Sequence, residues 1–140
     1  MSDGEKSIPK VSPQEIYALV GGDDNGGPEA FSLLVDRFYE GVEKDQVLRP
    51  MYPPSDLAEA RENLALFLIQ YFGGPSIYAM KRGHPRLRMR HVPFTIDEAA
   101  RDAWLTHMAA ALASVPAFAP YTDTRRRYFT EAAHFLQNHG

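Results

Sequence analysis

From Phe31 to Val42 the apolar residues fall at Phe31, Leu34, Val35, Phe38 and Val42, a rhythm of threes and fours that fits a helix and poorly fits a strand. The same rhythm recurs in Leu57, Ala60, Leu64, Phe67, Leu68 and Tyr71. It returns in Ala100, Trp104, Leu105, Met108, Ala111, Leu112 and Val115, and again in Tyr128, Phe129, Ala132, Phe135 and Leu136. Between these runs stand helix entrances. Ser12-Pro13-Gln14-Glu15, Asp56-Leu57-Ala58-Glu59 and Thr95-Ile96-Asp97-Glu98 read as capping boxes, and Thr122 or Asp123 can cap the last helix. Exits are written as Gly21-Gly22, Gly73-Gly74-Pro75 and Pro116. The predicted class is therefore all-α, with about five main helices. Asp23 to Gly27 is turn material, and Ser76 to Lys81 reads as a loop or a helical turn. Ala65, Leu66, Ile69 and Phe72 make the second half of the third helix apolar nearly all round, which predicts deep burial there.

A chain of 140 residues is one domain by length, taken as residues 12–140 behind a loose tail over 1–11, and it can bury a core without cross-links. The absence of cysteine excludes disulfides, iron–sulfur clusters, thiolate-held haem and covalent haem attachment. His, carboxylate, Tyr or Met remain as metal ligands. A net charge of −3 argues against a general nucleic-acid binder. The polar start and the lack of any bilayer-length apolar run lead us to expect a soluble, cytoplasmic protein. Neither G-x-S-x-G, H-E-x-x-H nor a phosphate-cradling glycine loop occurs.

Chemistry concentrates between Gly83 and Phe94. Pro85 suits the first position of a helix and Val92 before Pro93 is pushed out of helical angles, so a short helix is bracketed with His84 at its entrance and His91 at its exit. Leu87 and His91 share a face of it, and Arg86, Arg88 and Arg90 point mostly elsewhere. With Lys81 and Arg82 these arginines form a basic cluster; Arg125 to Arg127 form a smaller one. Two readings stay open from the residues alone. One is a haem-free helical interaction module that docks an acidic partner through segment 81–90. The other is a cationic fringe around an apolar ligand with acidic edges. Tyr39 beside the stripe of the second helix, Tyr52 on the rigid corner Tyr52-Pro53-Pro54, and Trp104 can each be core packing or a donor aimed into a pocket. His107, His134 and His139 lack any surrounding motif and read as surface or capping residues. A haem site asks for one neutral imidazole, apolar walls, cations for the propionates and donors over the open iron face, which is this set of residues.

Arg37-Phe38-Tyr39, Val47 to Pro53, Gln70 to Pro75, Arg82 to Phe94 and Arg101 to Leu105 resemble the truncated haemoglobins, and most closely their second group. That resemblance spans about residues 14–138. It implies a two-over-two helical sandwich enclosing haem b, with His91 as proximal ligand and Tyr39, Tyr52 and Trp104 on the distal side. Ala60, Leu64, Phe67, Leu87 and Phe94 would wall the haem, and Arg88, Arg90, His84, Tyr78 and Lys81 are candidates for the propionates. Ala60 stands where many globins carry His or Gln, so ligand stabilisation falls to the tyrosines and the tryptophan. The implied activity is binding of dioxygen and of other diatomic ligands such as nitric oxide or carbon monoxide. Nitric oxide oxidation or peroxide reduction would be a redox extension served by an electron-donating reductase, in a monomer or homodimer. The chain departs from the pattern in the longer Asp23 to Gly27 turn, the longer tail, and Phe72 where this group often has tryptophan.

Overall fold

A computed structural model of the chain describes residues 12–52, 57–83 and 96–137. A 3-10 turn at Pro13–Glu15 leads into α1 (Ile16–Leu19), followed by α2 (Gly27–Glu43), a 3-10 turn at Arg49–Met51, α3 (Ala58–Tyr71) and α4 (Ile77–Arg82). Then come α5 (Glu98–Ala113), a 3-10 turn at Pro116–Tyr121 and α6 (Thr122–Leu136). There is no strand among the described residues. The expected tail over 1–11, the Asp56 cap and the short helix from Pro85 to His91 lie outside the described residues.

α2 carries the core. Phe31, Leu34, Val35, Phe38 and Val42 are all buried, as their spacing requires, and α2 packs against both α3 and α5. α5 in turn packs on α6, so two helix pairs meet across α2 and α5. Phe31 lies edge-on to Phe118 with ring centroids 5.1 Å apart and also meets Tyr17 and Phe72. Phe72, where the second group of truncated haemoglobins would often place a tryptophan, is 1 % exposed and contacts Tyr71, Tyr128 and Phe129.

Several boundaries differ from the sequence expectation, each for a local reason. α5 starts at Glu98 and not after Thr95, because the Asp97 carboxylate accepts the Ala100 N–H at 2.9 Å and takes the N-cap position itself. Segment 76–81 is ordered as helix α4, whose otherwise unpaired Ala79 N–H donates to Gln70 Oε1 of α3 at 2.8 Å. α6 begins at Thr122, with Tyr121 as its boundary residue. Of the residues expected to be buried at the end of α3, Ala65, Ile69 and Phe72 are, with Leu68 beside them; Leu66 is partly exposed, and Leu64 and Phe67 face a cavity. Before the first turn the anticipated Ser12–Glu15 capping box is present, with the Ser12 N–H donating to Glu15 Oε1 at 2.9 Å.

α2 and α5 are in contact at Gly41, where a Cβ would collide with the His107 ring. Alanine normally stabilises a helix interior by up to about 1 kcal/mol over glycine. Here the clash should reverse the sign, so Gly41→Ala lowers stability by about 1–3 kcal/mol in urea denaturation. Adding His107→Ala should recover much of the loss; a Gly41→Ala protein more stable than wild type overturns the close approach.

Candidate functional site

Between α2, α3, α5 and α6 the packing leaves a mostly apolar cavity of about 350 Å³, within the range of small-molecule sites. α3 supplies Ala60, Asn63, Leu64, Phe67 and Leu68, and α4 supplies Tyr78 and Arg82. Tyr39 comes from α2, while Leu48, Met51 and Tyr52 come from the connection after it. Ala100, Arg101, Trp104, Tyr128 and Phe129 close the far side. The period of each helix explains these positions: Ala60, Leu64 and Phe67 repeat at four and three residues and share one face.

Three polar-tipped aromatics stand together on this wall. Tyr39 is 3 % exposed, with its ring edge-on to Tyr52 at 5.6 Å and to Phe38 at 5.0 Å. Phe38 meets Trp104 at 5.4 Å, which joins the α5 indole to the two tyrosines. The Tyr39 hydroxyl donates to the Tyr52 oxygen. Burial first, and the Tyr52 oxygen second, push the Tyr39 phenol far above the usual tyrosine range, while Arg61, with its guanidinium 6.0 Å from the Tyr39 ring centroid, offsets part of that rise. Burial also raises the Tyr52 phenol, and the hydrogen bond it accepts from Tyr39 opposes that rise. Both phenols therefore stay neutral, and the Tyr52 proton remains available to a further acceptor.

The structure thus brings together Tyr39, Tyr52, Trp104, Ala60, Leu64, Phe67 and Tyr78. Tyr78 is buried, edge-on to Phe67 at 5.5 Å, and carries Arg82 over its ring at 5.9 Å. Lys81 is directed away from the cavity, pairing with Glu62 across the surface at 2.8 Å. His84, Leu87, Arg88, Arg90, His91 and Phe94 lie outside the described residues. Asn63 and Arg82 were missed as cavity residues, although Asn63 sits three residues after Ala60, where helical period alone could have found it. His107 is no free surface histidine: its Nε2 lies 2.6 Å from Asp45 Oδ2, and this pair holds the Asp45 carboxyl below the usual carboxylate range, helped by the Leu48 and Val47 N–H groups.

The pattern of the bacterial-like globins matches residues 15–138. The chain belongs to the bacterial-like globin family. Group 2 truncated hemoglobin YjbI of Bacillus subtilis is 48 % identical over 86 residues, a match that spans 61 % of this globin and 64 % of the relative. The structure of a thermostable hemoglobin from Thermobifida fusca superposes with a TM-score of 0.81 at 49 % identity, covering 89 % of this chain and 97 % of the other. A truncated oxygen-avid haemoglobin from Bacillus subtilis superposes with a TM-score of 0.77 at 37 % identity, covering 91 % and 100 %. The globin is accordingly a truncated haemoglobin with the two-over-two fold, and this membership supports haem-based ligand binding. The cavity fits such a group: its walls are apolar, and its polar atoms are mostly confined to a few hydroxyl, amide, indole and guanidinium groups. The reading as a haem-free acidic-partner module is not favoured by family membership.

Removing the Tyr52 hydroxyl leaves the buried Tyr39 proton without its acceptor. Tyr52→Phe is therefore expected to cost about 1–3 kcal/mol in urea denaturation, more than Tyr39→Phe. Because folded Tyr39 keeps its proton well past the value of 10.0 at which an unfolded tyrosine releases it, stability should fall as pH rises above 10. Tyr39→Phe should flatten that fall; an unchanged alkaline slope would contradict the burial of this phenol.

Proposed function

We propose that this globin, as one domain over residues 12–140 and in the cytoplasm, binds haem b in the cavity and holds dioxygen there through Tyr39, Tyr52 and Trp104. The observation that carries this reading is the hydrogen-bonded Tyr39–Tyr52 pair next to Trp104 on an otherwise apolar wall. When bound, haem supplies an iron that takes one diatomic ligand, and His91 is the residue of this chain assigned to hold that iron. Tyr52 has a proton to give because Tyr39 already donates to its oxygen. Trp104 adds an indole N–H, which donates and never accepts, so it favours a ligand with partial negative charge. Leu64, Phe67 and Leu68 exclude water, which strengthens each of these hydrogen bonds. Arg82 beside Tyr78 is well placed to meet an acidic edge, a role for which the family resemblance also offers Arg88, Arg90 and His84. The oxygen-avid character named for the Bacillus subtilis neighbour agrees with several donors around one ligand.

Haem titration tests the reading directly. Wild type should develop a Soret band that shifts with dithionite and carbon monoxide, and His91→Gly should lose or alter it. An unchanged spectrum in His91→Gly removes that residue from the iron. Trp104→Phe or Tyr52→Phe should each speed dioxygen release by roughly tenfold, as expected for one charge-assisted hydrogen bond. Stopped-flow mixing of the oxygenated protein with nitric oxide distinguishes simple binding from oxidation to nitrate, a turnover that requires a reductase.

A further inference from the structure

Asp45 and His107 lie outside the cavity wall, yet each is connected to a ligand-facing donor. The two side chains are 17 % and 23 % exposed, and the His107 Nε2 to Asp45 Oδ2 distance is 2.6 Å. The other carboxylate oxygen accepts the N–H groups of Val47 and Leu48 at 2.8 and 3.0 Å, and the Asp45 carbonyl accepts that of Arg49 at 2.9 Å. From there the turn continues, with the Tyr52 N–H donating to the Arg49 carbonyl at 3.1 Å. Asp45 is thus the root of the segment that ends at Tyr52. On the other side, His107 sits three residues after Trp104 on α5, nearly one helical turn away. Glycine at 41 lets the imidazole lie against the α2 backbone and reach Asp45. A closed circuit results. It runs from Trp104 along α5 to His107, across to Asp45, through the turn to Tyr52, and back through Tyr39 and Phe38 to Trp104.

We propose that Asp45 and His107 are positioning residues that set the separation of Tyr52 and Trp104, and thereby how strongly a ligand in the cavity is held. The inference rests on the haem-binding reading for its consequence, though not for its geometry. One contact at 2.6 Å spans the two elements that carry the outer donors, whereas the inner route, hydrogen-bonded between Tyr52 and Tyr39, reaches Trp104 only through Phe38 ring edges that tolerate sliding. Without the pair, the Tyr52 turn and the Trp104 helix can shift independently, and two donors no longer converge on one point.

The test uses the haem-loaded protein with carbon monoxide as the probe. The infrared stretch of bound carbon monoxide reports hydrogen-bond donation from the cavity wall, which a loss of stability alone does not move. His107→Leu should shift or split that band and accelerate dioxygen release several-fold, while His107→Gln, which retains a side-chain N–H for Asp45, should restore both. Asp45→Ser keeps a short local acceptor for the Val47 and Leu48 N–H groups but does not reach His107, and it should reproduce the His107→Leu band. The double variant should add little to either single change. In the haem-free protein the emission of Trp104, the single tryptophan, should shift in His107→Leu and return in His107→Gln. If wild type takes up no haem, the ligand reading falls while the emission comparison still decides the positioning role. A His107→Leu protein with a lower melting temperature but wild-type carbon monoxide band and Trp104 emission overturns the proposal.

Discussion

The apolar stripe of α2 is shared between two tasks, and the described structure depends on that division. Its first half, at Phe31 and Leu34, is closed off by rings from α1, from the end of α3 and from the turn before α6. Its second half, at Phe38 and Tyr39, is half core and half cavity wall. Burial of the large aromatic side chains contributes on the order of 3–5 kcal/mol for each phenylalanine that truncation would remove. Because the first half is fully buried, the second half can leave space open without loosening the helix that lines it.

A polar device is built into that wall, the Tyr39–Tyr52 hydrogen bond. A lone phenol at Tyr39 would bring an unpaired donor into apolar surroundings, and the second tyrosine converts that defect into a relay with a free proton at its outer end. Arg61 stands behind the Tyr39 ring and is itself balanced by Asp36 and Glu43 at 3.3 and 3.5 Å. The positive charge therefore acts on the ring from the solvent side without entering the cavity.

Helical period made α2, α3, α5 and α6 legible from the residues, whereas Ala60, Leu64 and Phe67 were placed beside Tyr39, Tyr52 and Trp104 only through the resemblance to the truncated haemoglobins. What stayed hidden depends on partners remote in sequence. α4 is held by Gln70 from another helix, and His107 acquires a purpose only through Asp45, so neither carries a signature within its own window. The start of α5 was misplaced because Thr95 and Asp97 are both competent caps. Asp97 has the advantage that Ile96 before it is buried, 8 % exposed, at the edge of the core. The basic residues of segment 81–90 looked alike in the sequence, whereas Lys81 and Arg82 diverge in the structure, one to a surface carboxylate and the other to a tyrosine ring.

The junction between the first turn and the end of α3 also dictates an order of events. The Tyr17 N–H donates to the Phe72 carbonyl at 2.9 Å, and Gly73, at a φ of 101°, leaves no Cβ between itself and the Gln14 carbonyl. The opening residues therefore have no seat until the third helix has been made and turned. Closing so long a loop carries an entropy cost that local helix formation avoids. The turn and short helix over residues 13–19 are accordingly among the last pieces to settle, and during synthesis they must wait for residues far behind them to emerge.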